Sequence, residues 1–332
     1  MNEHTVPDLM FAFIKSGVLK TALDLDLFGP IARGQRDAAA IAATAGADAR
    51  AVGIVLDALT AMGVVAKDAG GYRLEPLAEM LLVRESPAYM GAFSRITLSP
   101  ELWNGVGQLT AIARSGRPPQ AMVDVPEHPF WETFSDASAS VSAIGAQAVA
   151  EQLGLDADAP AEILDVAVGS GVYGFAALQR LPRARLTSLD WENVLRHAQP
   201  IAERYGVADR VTWLPGSAFD TPLPAARFDA VICSHFFHHF DAAQNLDLAR
   251  RLFAAVKPGG RLLIHDFVPD DARAAHEPAL LFAVVMLATT ERGNVYTLAE
   301  YREWLEAAGF RDVTFHPLTM GASAVVVGRR PA

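Results

Sequence analysis

The sequence predicts an α/β protein in two parts: a mainly helical N-terminal part, then a mostly parallel, seven-stranded sheet. Three observations carry this. Apolar residues recur at helical spacing before Gly63, two short strand-like runs follow around a Gly-Gly turn, and from Ala161 onward short apolar runs alternate with helical stretches. Apolar strands separated by helices imply a sheet covered on both faces, which binds ligands at the carboxyl ends of its strands. The boundary is placed after residue 150, giving parts 1–150 and 151–332.

In the first part Leu9, Met10, Phe13, Ile14, Val18 and Leu19 share a helical face, with Ala22, Leu23, Leu25 and Leu27 after them and a break at Gly29-Pro30. Ala38 to Thr44 is helical. A second helix, Ala49 to Met62, opens on Asp48, whose carboxylate can cap free N–H groups, and ends at Gly63. Val64–Ala66 and Tyr72–Leu74 flank Asp68-Ala69-Gly70-Gly71 as a small hairpin with glycines where φ must be positive. Helix, turn, helix and hairpin make a winged-helix pattern. The second helix carries only Arg50 and Asp57 as charges, too little basic and amide character for a DNA groove. It and the apolar first helix fit a dimer surface better.

Pro118-Pro119 and the Pro126 to Pro129 stretch read as a connection. Around them Trp103, Phe130, Trp131 and Phe134 are either core or the wall of an aromatic-lined pocket. The strands expected next are 162–166, 185–189, 211–214, 228–233 and 261–267, with helices at 172–180, 194–205 and 241–256. A helix at 298–308 and a closing antiparallel hairpin, 313–315 with 322–327, end the chain.

Composition narrows the function. The 332 residues are 51% hydrophobic and 20% charged, so a sizeable core is available without disulfides. Cys233 is the only cysteine, which fits a reducing compartment. A formal charge of −10 with no Lys/Arg run argues against nucleic acid. The N-terminus, with Glu3, His4 and Asp8, is unlike a signal peptide, and the apolar run Ala279 to Ala288 is too short to span a bilayer. A cytoplasmic protein with a small-molecule substrate is expected.

Ile163-Leu164-Asp165-Val166-Ala167-Val168-Gly169-Ser170-Gly171-Val172-Tyr173-Gly174 is a strand, a glycine loop and a helix start. Gly169, Gly171 and Gly174 spell G-x-G-x-x-G, and Asp190 ends the next strand, so a nicotinamide dehydrogenase is one reading. Asp165 argues against it: its charge repels a pyrophosphate and suits a cationic ligand. Phe228-Asp229-Ala230-Val231 and Lys257-Pro258-Gly259-Gly260-Arg261-Leu262 point the same way.

With the winged-helix start, these motifs resemble, over nearly the whole chain, the class I S-adenosylmethionine-dependent small-molecule O-methyltransferases of the plant and bacterial natural-product type. The resemblance implies a Rossmann-like methyltransferase domain, an N-terminal dimerisation domain and a homodimer. It implies S-adenosylmethionine as methyl donor and S-adenosylhomocysteine as product. It assigns the donor's methionine part and ribose to Asp165, Ala167, Gly169 and Gly171, with Asp190 on the ribose beside Trp191. Ser217, Ala218 and Phe219 fall near the adenine, and Ser234 borders the same site. Two positions depart from the pattern: Ala167 replaces the first loop glycine, and Ser217 replaces an Asp after Gly216.

Ser234-His235-Phe236-Phe237-His238-His239-Phe240-Asp241 follows the fourth strand. Aligned on the family's His-Asp-Trp segment, His238 takes the place of the general base, and His239 that of the aspartate. The family's orienting acid falls at Val295-Tyr296-Thr297, which has none, leaving Asp266 or Glu291 to supply it. His265 and Asp266 face the same crevice by topology. His235 and His239, four apart with Asp241 nearby, also invite a metal reading, but the segment straddles a strand end and turn, and no metal is expected. Methyl transfer to a hydroxyl of an aromatic metabolite leads. Carbon methylation, a repurposed non-methylating enzyme and a winged-helix regulator are the alternatives.

Overall fold

A computed structural model describes residues 5–121, 125, 127–318 and 323–332. Glu3, His4, Pro126 and Ala322, all used above, lie outside the described residues. Packing divides the chain into two compact units, Met1–Ser99 and Pro100–Ala332. The division falls earlier than residue 150 because the long Pro129–Glu151 helix packs on the Val172–Arg180 and Glu192–Arg204 helices of the sheet unit.

In the first unit the Thr5–Asp24 helix is followed by a short helix, Phe28–Ala32. The chain therefore breaks before Gly29-Pro30; Pro30 lies in a first helical turn, where its missing N–H has no intrahelical partner to lose. Ala38–Ala45 is capped by Asp37, and Ala49–Ala61 by Asp48, which accepts from the Ala51 N–H at 2.8 Å. Strands β1 (Val65–Asp68) and β2 (Gly71–Leu74) form the antiparallel hairpin. Of its two glycines only Gly71 has positive φ, at 99°. A side chain there would meet the Arg36 carbonyl, which accepts from the Tyr72 N–H. Tyr72 and Lys67 both donate to Asp57, tying the hairpin to the helix before it. Leu27, Phe28, Ile41, Leu56 and Leu59 form a buried core.

The second unit is built on β3 (Ala161–Val166), β4 (Ala184–Asp190), β5 (Val211–Pro215), β6 (Phe228–Ser234), β7 (Val256–Phe267), β8 (Arg311–Pro317) and β9 (Ser323–Arg329). The sheet order is β5-β4-β3-β6-β7-β9-β8. The first five strands run parallel, and β9 is antiparallel to both β7 and β8. β3 lies inside the sheet between β4 and β6, and its residues Ile163, Leu164 and Val166 are fully buried, because an apolar core lies on each face. The chain steps outward from β3 to β5 and then returns to β6 on the other side of β3. That switch opens a crevice at the carboxyl ends of β3 and β6.

The Phe228-Asp229 and Lys257 motifs sit at the opposite end. Asp229 accepts from the Glu162 N–H at 2.8 Å and from Lys257 Nζ at 2.7 Å, fastening the starts of β3, β6 and β7 together. Among the described residues no single helix is long and apolar enough to cross a membrane.

Candidate active site

The crevice holds a cavity of about 250 Å³ lined from five segments of the second unit. Its floor is the loop after β3. Gly169 and Gly171 have φ of 53° and 78°, and Ala167, without glycine's freedom, is also left-handed at 55°. Ala167 and Gly169 line the cavity; Gly171 instead caps the Val172–Arg180 helix, where a Cβ would strike the Phe175 ring.

Asp165 is buried beneath this loop, and its Oδ2 accepts from the Gly174 N–H at 3.1 Å. A Cβ on Gly174 would stand 2.6 Å from that oxygen. The third glycine of the motif therefore brings a carboxylate onto a helix N-terminus rather than making room for a phosphate. Burial, with the nearby Asp190 charge, pushes the Asp165 carboxyl well above the usual range.

Asp190, at the end of β4, accepts from the Gly169 N–H at 2.9 Å and the Trp191 N–H at 2.7 Å. Burial pushes its carboxyl up to about 6, against the opposing pull of those two N–H groups. Ser217, Ala218 and Phe219 line the wall after β5. Ser217 Oγ accepts from the Phe219 N–H at 3.1 Å, so the hydroxyl that replaces the expected aspartate also braces its own turn. Arg251 holds the turn from behind through the Ala218 and Thr221 carbonyls.

Trp131 and Phe134 form an aromatic wall, 5.9 Å apart and edge to face, and Trp131 also meets His239 at 5.6 Å. Phe130 packs beside them, whereas Trp103 is partly exposed on the Pro100–Gly107 helix. Ser138 and Ser142, absent from the sequence reading, line the cavity from the same long helix. Ser135, Ser138 and Ser142 recur at i, i+3 and i+7, a small polar stripe that was the available signal. Tyr173 was also missed; burial pushes its phenol up to about 12.

The three histidines after β6 divide. Ser234, His235 and His239 line the cavity, while His238, in a 3-10 turn, is buried and turned toward Asp266 at the end of β7. His238 Nδ1 lies 2.6 Å from Asp266 Oδ1, and Tyr301 donates to Asp266 Oδ2 at 3.0 Å. Of the two carboxylates named for the place of the acid absent from Val295–Thr297, Asp266 is the one beside His238. Glu291 lies against Arg117 instead, and Thr297 caps the next helix. Burial drives His239 and His265 well below the usual imidazole range, keeping both neutral. His235 and His239 do not share a helix face, because His235 is left-handed at φ 53° and the turn starts after it.

Among the described residues lining the cavity are two carboxylates and no lysine or arginine. That wall suits a cation and disfavours the pyrophosphate of a dinucleotide.

Residues 120–311 match the family model of the O-methyltransferase domain, and residues 7–84 that of the O-methyltransferase dimerisation domain. The sequence is 30% identical over 332 residues to the tetracenomycin polyketide synthesis 8-O-methyl transferase of Streptomyces glaucescens, covering 97% of this chain and 95% of that one. It is 29% identical to the 3-hydroxy-5-methyl-1-naphthoate 3-O-methyltransferase of Streptomyces sahachiroi, over 97% and 93%. A solved structure of an O-methyltransferase candidate from Nostoc punctiforme superposes with a TM-score of 0.92 at 32% identity, over 99% of both chains.

Proposed function

The chain belongs to the O-methyltransferase family, and from that premise we propose that it methylates a hydroxyl of a small aromatic molecule, with His238 accepting the proton. The methyl donor is S-adenosylmethionine, with which the structure of human N-acetylserotonin methyltransferase, similar in fold, is solved. The single observation that carries the reading is the cavity wall: Asp165 and Asp190 at the carboxyl ends of adjacent strands, with no lysine or arginine among the described residues that line it.

That wall fits the donor. A buried carboxyl pushed toward its neutral form regains its charge beside a cation, which suits Asp165 to the positively charged part. Asp190 would accept from the ribose hydroxyls, with the Gly169 amide holding it in place. Ser217, Ala218 and Phe219 would border the adenine, and Trp191 and Ser234 the rest of the rim. When bound, S-adenosylmethionine supplies an electrophilic methyl carbon on a cationic sulfur.

The protein's part is alignment and proton removal. Asp266 accepts from His238 Nδ1–H, which fixes the tautomer and leaves Nε2 as the basic nitrogen. His238 takes the hydroxyl proton there as the oxygen is methylated. The pairing supports oxygen over carbon as the methylated atom, since a missing orienting acid was the reason to consider carbon. The aromatic class rests on the relatives, whose names specify an 8-O position in tetracenomycin polyketide synthesis and the 3-O position of a hydroxynaphthoate.

The chain acts as a homodimer through its N-terminal unit. Support comes from the dimerisation-domain match and from Leu9, Met10, Phe11 and Phe13, each more than half exposed on the first helix. A cytoplasmic location belongs to the same proposal, supported by the lone buried Cys233. Sedimentation of the purified chain tests the first point and cell fractionation the second.

The decisive test incubates the protein with S-adenosylmethionine and a panel of hydroxynaphthoates and polycyclic phenols. A mass gain of one methyl group on oxygen is expected, with no turnover when NAD replaces the donor. Donor binding without any methylated product across the panel would overturn the aromatic-hydroxyl assignment.

A further inference from the structure

We propose that His235, His238 and Asp266 form a binding site for one divalent cation of the zinc type, and that its occupancy switches methyl transfer off. One ligand atom from each of the three residues lies within 4.8 Å of the others. His238 Nδ1 is 2.6 Å and His235 Nδ1 3.8 Å from the same oxygen, Asp266 Oδ1. Bonds of about 2.0–2.1 Å to a tetrahedral ion put ligand atoms roughly 3.3 Å apart, so the two spacings to Asp266 change by about 0.7 and 0.5 Å, and the histidine–histidine spacing, within 4.8 Å, closes by up to about 1.5 Å. Two imidazoles and one carboxylate are a recurring set for such ions, and they leave a coordination position for water.

Three further observations point to a ligand here. His235 Nδ1 is buried without a hydrogen-bond partner. His265, its ring 4.4 Å from that of His235, has both ring nitrogens buried and unpartnered. Orphaned buried nitrogens are rare in folded proteins and call for an occupant. Finally, His235 is held in the left-handed region, its N–H donating to the His265 carbonyl at 2.7 Å. Such costly conformations cluster at ligand sites. An entry path exists, because His235, one of the three ligands, lines the cavity.

The switch follows from proton bookkeeping, and this half rests on the methyl-transfer reading. A neutral imidazole carries one N–H. With a cation on His238 Nδ1 in place of the hydrogen bond to Asp266, that proton sits on Nε2, and Nε2 no longer accepts a proton from a substrate hydroxyl.

The test uses the full chain after treatment with a chelator. Zinc chloride is titrated calorimetrically, and cobalt chloride is followed by visible absorption. The expectation is one ion per chain with a dissociation constant in the micromolar range or tighter. His235→Asn weakens binding at least tenfold with the melting temperature of the metal-free protein kept, because asparagine tolerates the left-handed backbone. The surface cluster of His197 with Asp136 at 2.8 Å and Glu132 at 3.5 Å is the competing site, and His197→Ala leaves binding unchanged. No saturable binding, or binding lost in His197→Ala but kept in His235→Asn, overturns the site. Zinc inhibition reversed by chelator supports the switch, and zinc binding with full methyl transfer overturns it. The calorimetric and optical readouts need no acceptor, so a failed methyl-transfer assay leaves the site itself fully testable.

Discussion

His238 and Asp266 share a hydrogen bond of 2.6 Å between the ends of neighbouring strands, wholly enclosed by protein. Asp266 also accepts from Tyr301 at 3.0 Å and from its neighbour's backbone, the Phe267 N–H, at 2.8 Å. Burial, the largest single influence, would push this carboxyl up; His238 and His235 together outweigh it and hold the carboxyl well below the usual range. Asp266 therefore stays an acceptor and presents His238 in one tautomer.

Replacing the imidazole tests its role. His238→Ala is expected to lower turnover by about 10²-fold or more while donor affinity changes little, since the variant removes proton transfer and leaves the Asp165–Asp190 wall intact. Steady-state kinetics with calorimetric donor titration separate the two. A near-normal turnover removes His238 as the base.

Asp266→Asn addresses orientation. The amide can donate as well as accept, so the tautomer of His238 is no longer fixed. The expected result is a fall in kcat of about 10²-fold with KM for the acceptor nearly unchanged. A parallel rise in KM, with kcat kept, assigns Asp266 to packing instead. Tyr301→Phe, which removes one donor and keeps the ring, should cost much less.

Asp190 carries a pH dependence whose sign follows from its environment. Its folded pKa, about 6, is above the unfolded value. Between roughly pH 4 and 6 the folded chain therefore binds more protons than the unfolded chain, and stability from this group falls as pH rises through that window. A ligand donating hydroxyls needs the carboxylate, so donor binding below pH 6 must release a proton, and affinity falls as pH drops. Calorimetry at pH 5 and 7.5 should show donor affinity weaker at the lower pH by about tenfold, and Asp190→Ala weaker by at least tenfold at both. A pH-independent wild-type affinity, or an unchanged one in the variant, places the ribose elsewhere.

Much of this architecture is legible in the residues, and the gaps have physical causes. The Val172–Arg180 and Leu298–Ala308 helices are found at the expected bounds, and the sheet strands within a few residues, except that β7 starts at Val256, five residues before the expected 261. The Asp229 and Lys257 motifs mark the family, but they fasten strand starts far from the crevice, so a family signature need not touch a ligand. The His238–Asp266 pair was only one of two options, because 28 residues separate them and local periodicity cannot join them. Only the β6–β7 register, which sets Ser234 beside His265, brings these two strand ends together. Ser138 and Tyr173 were missed for a related reason: which helix face meets the cavity is decided by packing on the sheet.

Gly174 can be tested by adding one carbon. A Cβ there would stand 2.6 Å from Asp165 Oδ2 and 2.7 Å from Leu186 Cδ2, both inside contact distance. Gly174→Ala should lose about 1–3 kcal/mol, read as a fall in melting temperature, despite the better helix propensity of alanine. Donor affinity falls with it, as Asp165 is displaced. A rise in melting temperature denies the clash.

Ala167→Gly runs the opposite way and separates strain from packing. A left-handed L-residue costs about 1–2 kcal/mol, and Ala167 sits at φ 55° with its side chain on the cavity wall. Glycine removes that cost but adds roughly 0.5–1 kcal/mol of unfolded-state entropy. The net expectation is a gain of about 0–1 kcal/mol, seen as a melting temperature equal to or a few degrees above wild type. With the methyl gone, the backbone can approach a ligand as closely as the family's usual glycine allows, so donor affinity should hold or rise. A marked drop in melting temperature means that the methyl packs well enough to offset its backbone strain, and the substitution is then a stabilising feature of this chain rather than a tolerated one.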